Sequence, residues 1–336
     1  MSAVRRVIAS APARANLIGN PSDLYGGAVL ACSVARRARA AVTSAARLEL
    51  ATGGASVCIE GARDLALRGD AFDVARAALA AEPELPAAHI AYESEIPFGS
   101  GLAGSTALLA ALLRALAAWR GESAGPYDAA ERSRAVEREL LGVACGWVDH
   151  YLCSFGGLRY VDLRGKEREG RPPGDPFATV EDLSAHVPRL PFVLAFTGVS
   201  HHSGFVHGPI RARWERGDAE VVKAYERVAE IAREGKTALL RADWERLGAL
   251  MNENHAIQRR LGGSGESNER LVAAALAAGA LGAKLAGAGG GGTIVALWPR
   301  GDAAPLESAL RAAGAASFHR LEVCSGVTLE RDALDD

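Results

Sequence analysis

Pro97-Phe98-Gly99-Ser100-Gly101-Leu102-Ala103-Gly104-Ser105-Thr106 lies between a strand pattern and an apolar helix pattern, and its reading decides the fold. Three glycines let the backbone turn tightly and bring its N–H groups close to a ligand. The helix that follows adds its unpaired N-terminal donors and the positive end of its dipole. Ser105 and Thr106 open that helix with hydroxyls. The run suits a phosphate, with a hydroxyl near any Mg²⁺ bound to it. Gly99, Gly101 and Gly104 also spell the dinucleotide fingerprint G-x-G-x-x-G. That fingerprint expects a continuously apolar parallel strand before it. Here Ile90, Tyr92 and Ile96 share one face and Glu93 and Glu95 the other. The alternation predicts a half-buried strand over 89–96, typical of an antiparallel sheet. A glycine-rich turn without a ligand is the other reading of this run taken alone.

Composition narrows the class. The 336 residues suggest two domains, and 49% hydrophobic with 23% charged residues is ordinary for a globular protein. A formal net charge of −2 argues against a broad nucleic-acid surface. Five scattered cysteines (Cys32, Cys58, Cys145, Cys153 and Cys324) form no CxxC pair. A disulfide scaffold or structural zinc site is not expected, and a reducing, cytoplasmic setting fits. The N-terminus lacks an apolar signal core, and Ala103 to Trp119 carries Arg114 and is short for a membrane span.

The patterns along the chain predict strands at 4–10, 28–34, 40–50, 56–60, 159–163, 192–196, 283–286, 293–298 and 318–323. Helices are expected at 72–81, 104–119, 128–141, 218–234, 243–260, 268–278 and 304–313. Asp128 with Glu131 resembles a capping box opening the helix at 128. Gly165 to Asp175, rich in Gly, Pro and charge, reads as a linker or long loop. Mixed elements without strict βαβ alternation favour an α+β fold.

Three segments have to be explained together. They are Ala11 to Gly27 with Arg14, Asn20, Asp23 and Tyr25, the phosphate loop, and Lys284 to Gly292 with Gly287, Gly289 and Gly290. Taken singly, Arg14 reads as a surface charge, Asp23 as a turn cap and the glycine run as a flexible turn. In this order and spacing they resemble the three signature motifs of the GHMP small-molecule kinases, over nearly the whole chain. The resemblance implies an α+β fold of two domains. These would be an N-terminal domain like domain 2 of ribosomal protein S5 (1–170) and a ferredoxin-like C-terminal domain (171–336), with the active site between them. It implies ATP and Mg²⁺ as cofactors, with Pro97, Gly99, Ser100, Gly101, Leu102, Ala103, Gly104, Ser105 and Thr106 around the nucleotide.

A fourth segment, Cys145-Gly146-Trp147-Val148-Asp149-His150, is similar to the one that bears the family's catalytic aspartate. Asp149 would accept or orient the substrate hydroxyl proton, as a carboxylate near the nucleophile can. Taken alone, Asp149 is equally a helix cap. Glu137 matches the family's Mg²⁺ carboxylate, with Ser105 completing the metal site, although Glu137 also fits a solvated charged face. Arg14 matches the basic residue beside the transferred phosphate.

The first motif is closest to the sugar-kinase branch, where Asp23 occupies the position that grips sugar hydroxyls. Asn20-Pro21 departs from the galactokinase pattern, and Leu-Ile-Gly-Asn-Pro-Ser-Asp-x-Tyr resembles the glucuronokinase branch, which phosphorylates the anomeric hydroxyl of D-glucuronate. A uronate needs a cation, with Arg36, Arg37, Arg39, Arg211 and Arg213 as candidates. His202 and Ser203 are expected in the sugar pocket beside Asn20, Asp23 and Tyr25. The partners implied are ATP and a small-molecule sugar, without nucleic acid or membrane, in a monomer or homodimer. A silent ligand sensor on the same fold, a kinase for another small alcohol and a dehydrogenase remain alternatives.

Overall fold

The computed structural model describes residues 5–167, 174–199, 203–287 and 289–330. β1 (Arg6–Ile18) and β2 (Ala28–Ser44) are joined across a 3₁₀ turn at Ser22–Tyr25. β3 (Leu48–Thr52), β4 (Ala55–Ile59), α1 (Asp73–Ala80) and β5 (Ala88–Ser94) lead to the phosphate loop and α2 (Gly104–Trp119). α3 (Pro126–Ala135) runs into one π turn, Val136–Leu140, followed by α4 (Val148–Phe155), β6 (Leu158–Asp162) and β7 (Thr179–Asp182). Next come β8 (Phe192–Phe196), α5 (Ser203–Glu215), α6 (Ala219–Leu240), α7 (Trp244–Arg260), α8 (Glu266–Ala277) and β9 (Gly282–Leu285). The chain closes with β10 (Thr293–Leu297), α9 (Ala304–Ala312), β11 (Ser317–Arg320) and β12 (Thr328–Glu330). Among the described residues, no helix is long and apolar enough to cross a membrane.

Two sheets organise these elements, as the α+β expectation requires. One has eight strands with the path β12-β1-β2-β5-β3-β4, and β6 and β7 extend from β2. The other has four antiparallel strands in the order β11-β8-β10-β9. The long β2 pairs with β1 along one edge, with β6 along the first part of its other edge, and with β5 along the last part. β7 and β12 both follow residue 170 in the chain, and both belong to the eight-stranded sheet.

α2 is apolar nearly all round, which makes it a buried helix rather than a surface one. Leu109, Leu112 and Leu116 pack with Val42, Leu50 and Ile90 in the main core. Small alanines along α2 and β1 let their backbones come close. A second core under the four-stranded sheet holds Val193, Ile294, Leu271, Leu306 and Leu310, and a third holds Val29, Val161, Tyr151 and Leu152.

The helix expected at 104–119 starts and ends where the pattern places it. β5 alternates buried and half-buried as expected, antiparallel to β2 but also parallel to β3. Some boundaries differ. Strands 28–34 and 40–50 are instead one strand to Ser44, because Arg36, Arg37 and Arg39 do not break it. Arg37 lies across the sheet edge and donates to Ser10, Ser325 and Gly326, while Arg39 pairs with Glu330. The helix expected to open at Asp128 opens at Pro126 after Gly125, since proline suits the first helical position. Segment 165–175 lies in the long connection between β6 and β7, in line with the long-loop expectation, and its ends are held by hydrogen bonds from Asp175 N–H to Gly165 O and from Glu167 N–H to Asp175 O.

Candidate active site

The three motif segments meet backbone to backbone. Arg14 N–H in β1 donates to Leu102 O at 3.1 Å, and Asn16 N–H donates to Ala286 O at 3.0 Å. The Thr293 hydroxyl donates to Ser100 O at 2.8 Å. Gly287 approaches so closely that a Cβ there would lie 2.4 Å from Gly101 O, so the third motif needs glycine at that point. Within the phosphate loop, Gly99 and Gly101 have φ of +66° and +72°, and Ala103 takes a left-handed conformation at φ +60°. A non-glycine residue in that region is strained, a feature that clusters at functional sites. Ala103 thereby directs the chain into α2, whose first N–H groups have no carbonyl partner within the helix. Ser100 and Thr106 are buried, while Pro97 and Ser105 are exposed.

Arg14 and Asp149 form a bidentate ion pair. Nε and Nη2 of Arg14 donate to Oδ1 and Oδ2 of Asp149 at 2.6 and 2.7 Å. Nη1 of Arg14 donates to Gly101 O in the phosphate loop at 2.7 Å. The Arg14 side chain is 7% exposed and that of Asp149 is 30%, so the pair presents its carboxylate to solvent. Burial works against the arginine charge, but Asp149 outweighs it and raises the pKa of Arg14.

Glu137 is buried on the π turn, the kind of helix irregularity that often carries functional residues. Its Oε1 accepts from the Ser105 hydroxyl at 3.1 Å and its Oε2 from the Thr106 hydroxyl at 2.9 Å. His150 Nε2 lies 3.0 Å from Oε2. Burial opposes charge on His150, yet hydrogen bonds with Cys145 and Glu137 push its pKa up to about 10. The expected metal pair, Ser105 and Glu137, is therefore assembled at the start of α2.

The polar side chains of the first motif turn inward. Asn20 donates through Nδ2 to Gly287 O at 3.0 Å, and its Oδ1 accepts from Lys284 Nζ. Lys284 is 1% exposed, and burial, with Arg14 nearby, pushes its pKa down to about 7. The Asp23 carboxylate accepts from the N–H groups of Trp147 and Val148 at 3.1 and 3.3 Å, at the start of the helix bearing Asp149. Burial first, then Asp149, raises the pKa of Asp23. Gly146 makes room for it, since a Cβ there would sit 2.0 Å from Asp23 Oδ2. Tyr25 stacks on Tyr225 of α6 at 4.0 Å and tilts against Trp214 of α5 at 5.2 Å.

The other expected residues lie further out. Gly289 and Gly290 pack against the turn before α8: a Cβ on Gly289 would lie 1.9 Å from Gly263 O, and Gly290 N–H donates to Ser264 O at 2.6 Å. Ser203 begins α5, and His202 lies outside the described residues. The arginines named for a carboxylate already have partners. Arg36 meets His319, Arg37 and Arg39 hold the sheet edge, Arg211 pairs with Glu215, and Arg213 with Asp218 and Glu220.

Lys284 and Asn254 had no expected role. Asn254 accepts from Gly19 N–H at 2.8 Å and donates to Asn20 O at 3.2 Å, which holds the first motif in place. The signal for it is a buried polar residue on the apolar face of α7, beside Leu250, Met251 and Ile257. A cavity of about 480 Å³, lined by Arg189, Leu190, Trp298, Arg300 and Arg320, shares no residue with the motif cluster.

Models of three families match the chain: the GHMP kinases N terminal domain over 69–157, the GHMP kinases C terminal domain over 236–316, and the galactokinase galactose-binding signature over 2–44. The mevalonate kinase of Methanothermobacter thermautotrophicus is 30% identical over 291 residues, covering 87% of this chain and 90% of that protein. Glucuronokinase 1 of Arabidopsis thaliana is 32% identical over 239 residues, 67% of this chain and 62% of that protein. The Lactococcus lactis galactokinase structure with galactose superposes with a TM-score of 0.78 at 17% identity, covering 97% of this chain and 95% of that one.

Proposed function

Because the chain belongs to the GHMP kinase family, we propose that it transfers the γ-phosphate of ATP to the anomeric hydroxyl of a sugar acid, with D-glucuronate the leading acceptor. The coarser statement follows from the family itself. The chain has the GHMP kinase two-domain fold and is a phosphotransferase that uses ATP and an alcohol group on a small molecule. The sugar reading is carried by the galactose-binding signature over 2–44, which spans Asn20, Asp23 and Tyr25. The likeness to Arabidopsis glucuronokinase adds the carboxylate. Mevalonate is the second reading, favoured by a relative that matches 87% of the chain.

In this reading the phosphate loop and the start of α2 hold the nucleotide phosphates with backbone N–H groups. Asp149 takes the proton of the acceptor hydroxyl as its oxygen attacks the γ-phosphorus; the bond to the β-phosphate oxygen breaks and ADP leaves. Arg14 aims the Asp149 carboxylate through its two hydrogen bonds, and places fixed positive charge beside the transferred group. Ser105 and Glu137 fit a magnesium ion, since a hydroxyl and a carboxylate oxygen 3.1 Å apart face each other where phosphate would sit. Magnesium, when bound, supplies neutralisation of phosphate charge. Arg211 is the cation for a uronate carboxylate: it lies on α5, whose Trp214 packs against Tyr25, and its partner is a half-exposed glutamate.

The test is ADP release with Mg-ATP against glucuronate, galacturonate, glucose, galactose, mevalonate and homoserine. Turnover with glucuronate well above the others supports the reading. Turnover with mevalonate alone replaces the acceptor. ATP binding without turnover on any of them favours a ligand sensor.

A further inference from the structure

We propose that Glu137, Cys145 and His150 form a binding site for a thiophilic divalent ion of the zinc type, and that an ion held there silences the kinase by taking Glu137 from magnesium. The inhibitory half rests on the reading of Glu137 as a magnesium ligand. The binding half stands on this structure's own geometry.

One carboxylate oxygen of Glu137, the Cys145 sulfur and one ring nitrogen of His150 all lie within 4.8 Å of one another. His150 Nε2 faces Glu137 Oε2 at 3.0 Å. The ring is fixed from behind, with Nδ1 3.1 Å from the Ser133 hydroxyl. An imidazole that presents one nitrogen to a common point while the other is held by a hydrogen bond is the arrangement expected around a metal. Ser133 and Glu137 are four residues apart on α3 and its π turn, so one helix face sets both the ligand and the residue that orients its neighbour.

The donor set decides the metal class. Magnesium takes oxygens in an octahedron and keeps waters. Sulfur and imidazole favour zinc and its neighbours. Three protein ligands leave the fourth tetrahedral position to water or to another oxygen. Metal–donor distances of about 2.0–2.3 Å place tetrahedral donors about 3.5 Å apart. Closing the site therefore takes a movement of about an ångström, within reach of a rotation of the Cys145 side chain. Glu137 and His150 are buried while Cys145 is half-buried, so the thiol is the side open to an arriving ion. Binding displaces the thiol proton and any proton on the imidazole. Neither Cys145 nor His150 has a part in the phosphoryl transfer described above.

Binding is read on the metal-free full-length protein. Co²⁺ should give the intense visible spectrum of a tetrahedral ion and a thiolate charge-transfer band, with one equivalent bound. Zn²⁺ should displace it, and a chromogenic chelator reports the zinc affinity. Cys145→Ser should abolish the charge-transfer band and weaken zinc by at least ~10-fold, while Cys58→Ser leaves both unchanged. A band that survives Cys145→Ser, or the absence of any thiolate band, overturns the site. Inhibition is read separately, with whichever acceptor the protein uses. Free Zn²⁺ should slow wild type, excess Mg²⁺ should relieve it, and Cys145→Ser should resist it. Zinc held through Cys145 with no loss of rate overturns the inhibitory half alone. If no acceptor turns over, the cobalt spectrum still decides the binding half.

Discussion

The guanidinium of Arg14 closes on both carboxylate oxygens of Asp149 while its third nitrogen donates to Gly101 O, so one side chain ties the carboxylate to the phosphate loop. The sequence separates these groups widely: Arg14 is in β1, Asp149 in α4, and Gly101 in the loop before α2. The carboxylate and the glycine loop, which we propose as base and phosphate site, are held in register by a single rigid fork.

Asp149→Asn should keep ATP binding and cut turnover by at least ~10²-fold, the range of a lost general base. Steady-state rates beside binding of a non-hydrolysable nucleotide check this. Near-normal turnover would remove Asp149 from the mechanism.

Ser105→Ala should raise the Mg²⁺ concentration needed for half-maximal rate, because it deletes one of the two protein oxygens read as the magnesium site. Glu137→Gln should raise it further. A rate-against-Mg²⁺ curve at saturating ATP reads both, and identical curves for Ser105→Ala and wild type would leave the hydroxyl without a metal role.

Gly146→Ala places a methyl 2.0 Å from Asp23 Oδ2. It should destabilise the fold by about 1–3 kcal/mol, as overpacking does. Asp23→Ala removes the obstacle, so the double variant should lose less than the sum of the two single losses. Denaturant unfolding of the three variants gives the cycle, and strict additivity would mean the contact is relieved some other way.

Lys284→Met should alter stability in a pH-dependent way. Burial lowers the folded pKa of Lys284 to about 7, below the ordinary lysine value of about 10.4. Below pH 7 both states are protonated and the fold bears the full cost of the buried charge. Between the two values the unfolded chain binds the extra proton, so that cost fades as pH rises. The stability difference between Lys284→Met and wild type should therefore favour the variant most below pH 7 and shrink steadily towards pH 10. Urea midpoints at pH 6.5, 8 and 9.5 measure it, and a constant difference would contradict the buried-charge account.

Much of the frame is legible in the residues. α2 is readable because an apolar run opened by a glycine loop has few other uses, and the alternating strand before it rejects the dinucleotide reading. Asp218 and Asp243 mark the starts of α6 and α7 because each accepts from first-turn N–H groups. The arginines inside β2 mislead, because their partners Ser10, Ser325 and Glu330 lie elsewhere in the chain. The residue pattern does not announce α5, because Pro209 sits inside it. In the candidate site, the order of the motifs announces Arg14, Ser105, Glu137 and Asp149, but their geometry is tertiary. Nothing local says that Ser105 and Thr106 both bond Glu137, which requires the π turn. Nor does the sequence say that Asp23 faces the backbone of Trp147 and Val148.

β12 pairs Thr328–Glu330 with Ile8–Ser10 of β1. During synthesis the first strand is made more than three hundred residues before its outer neighbour. Until residues 328–330 leave the ribosome, that stretch of β1 stands as an open sheet edge, the kind of surface that invites pairing with other chains. Arg37 and Arg39 project toward this edge and find their partners Ser325, Gly326 and Glu330 only once that segment has been made. Nascent chains arrested short of residue 328 should accordingly depend on chaperones far more than chains that carry β12.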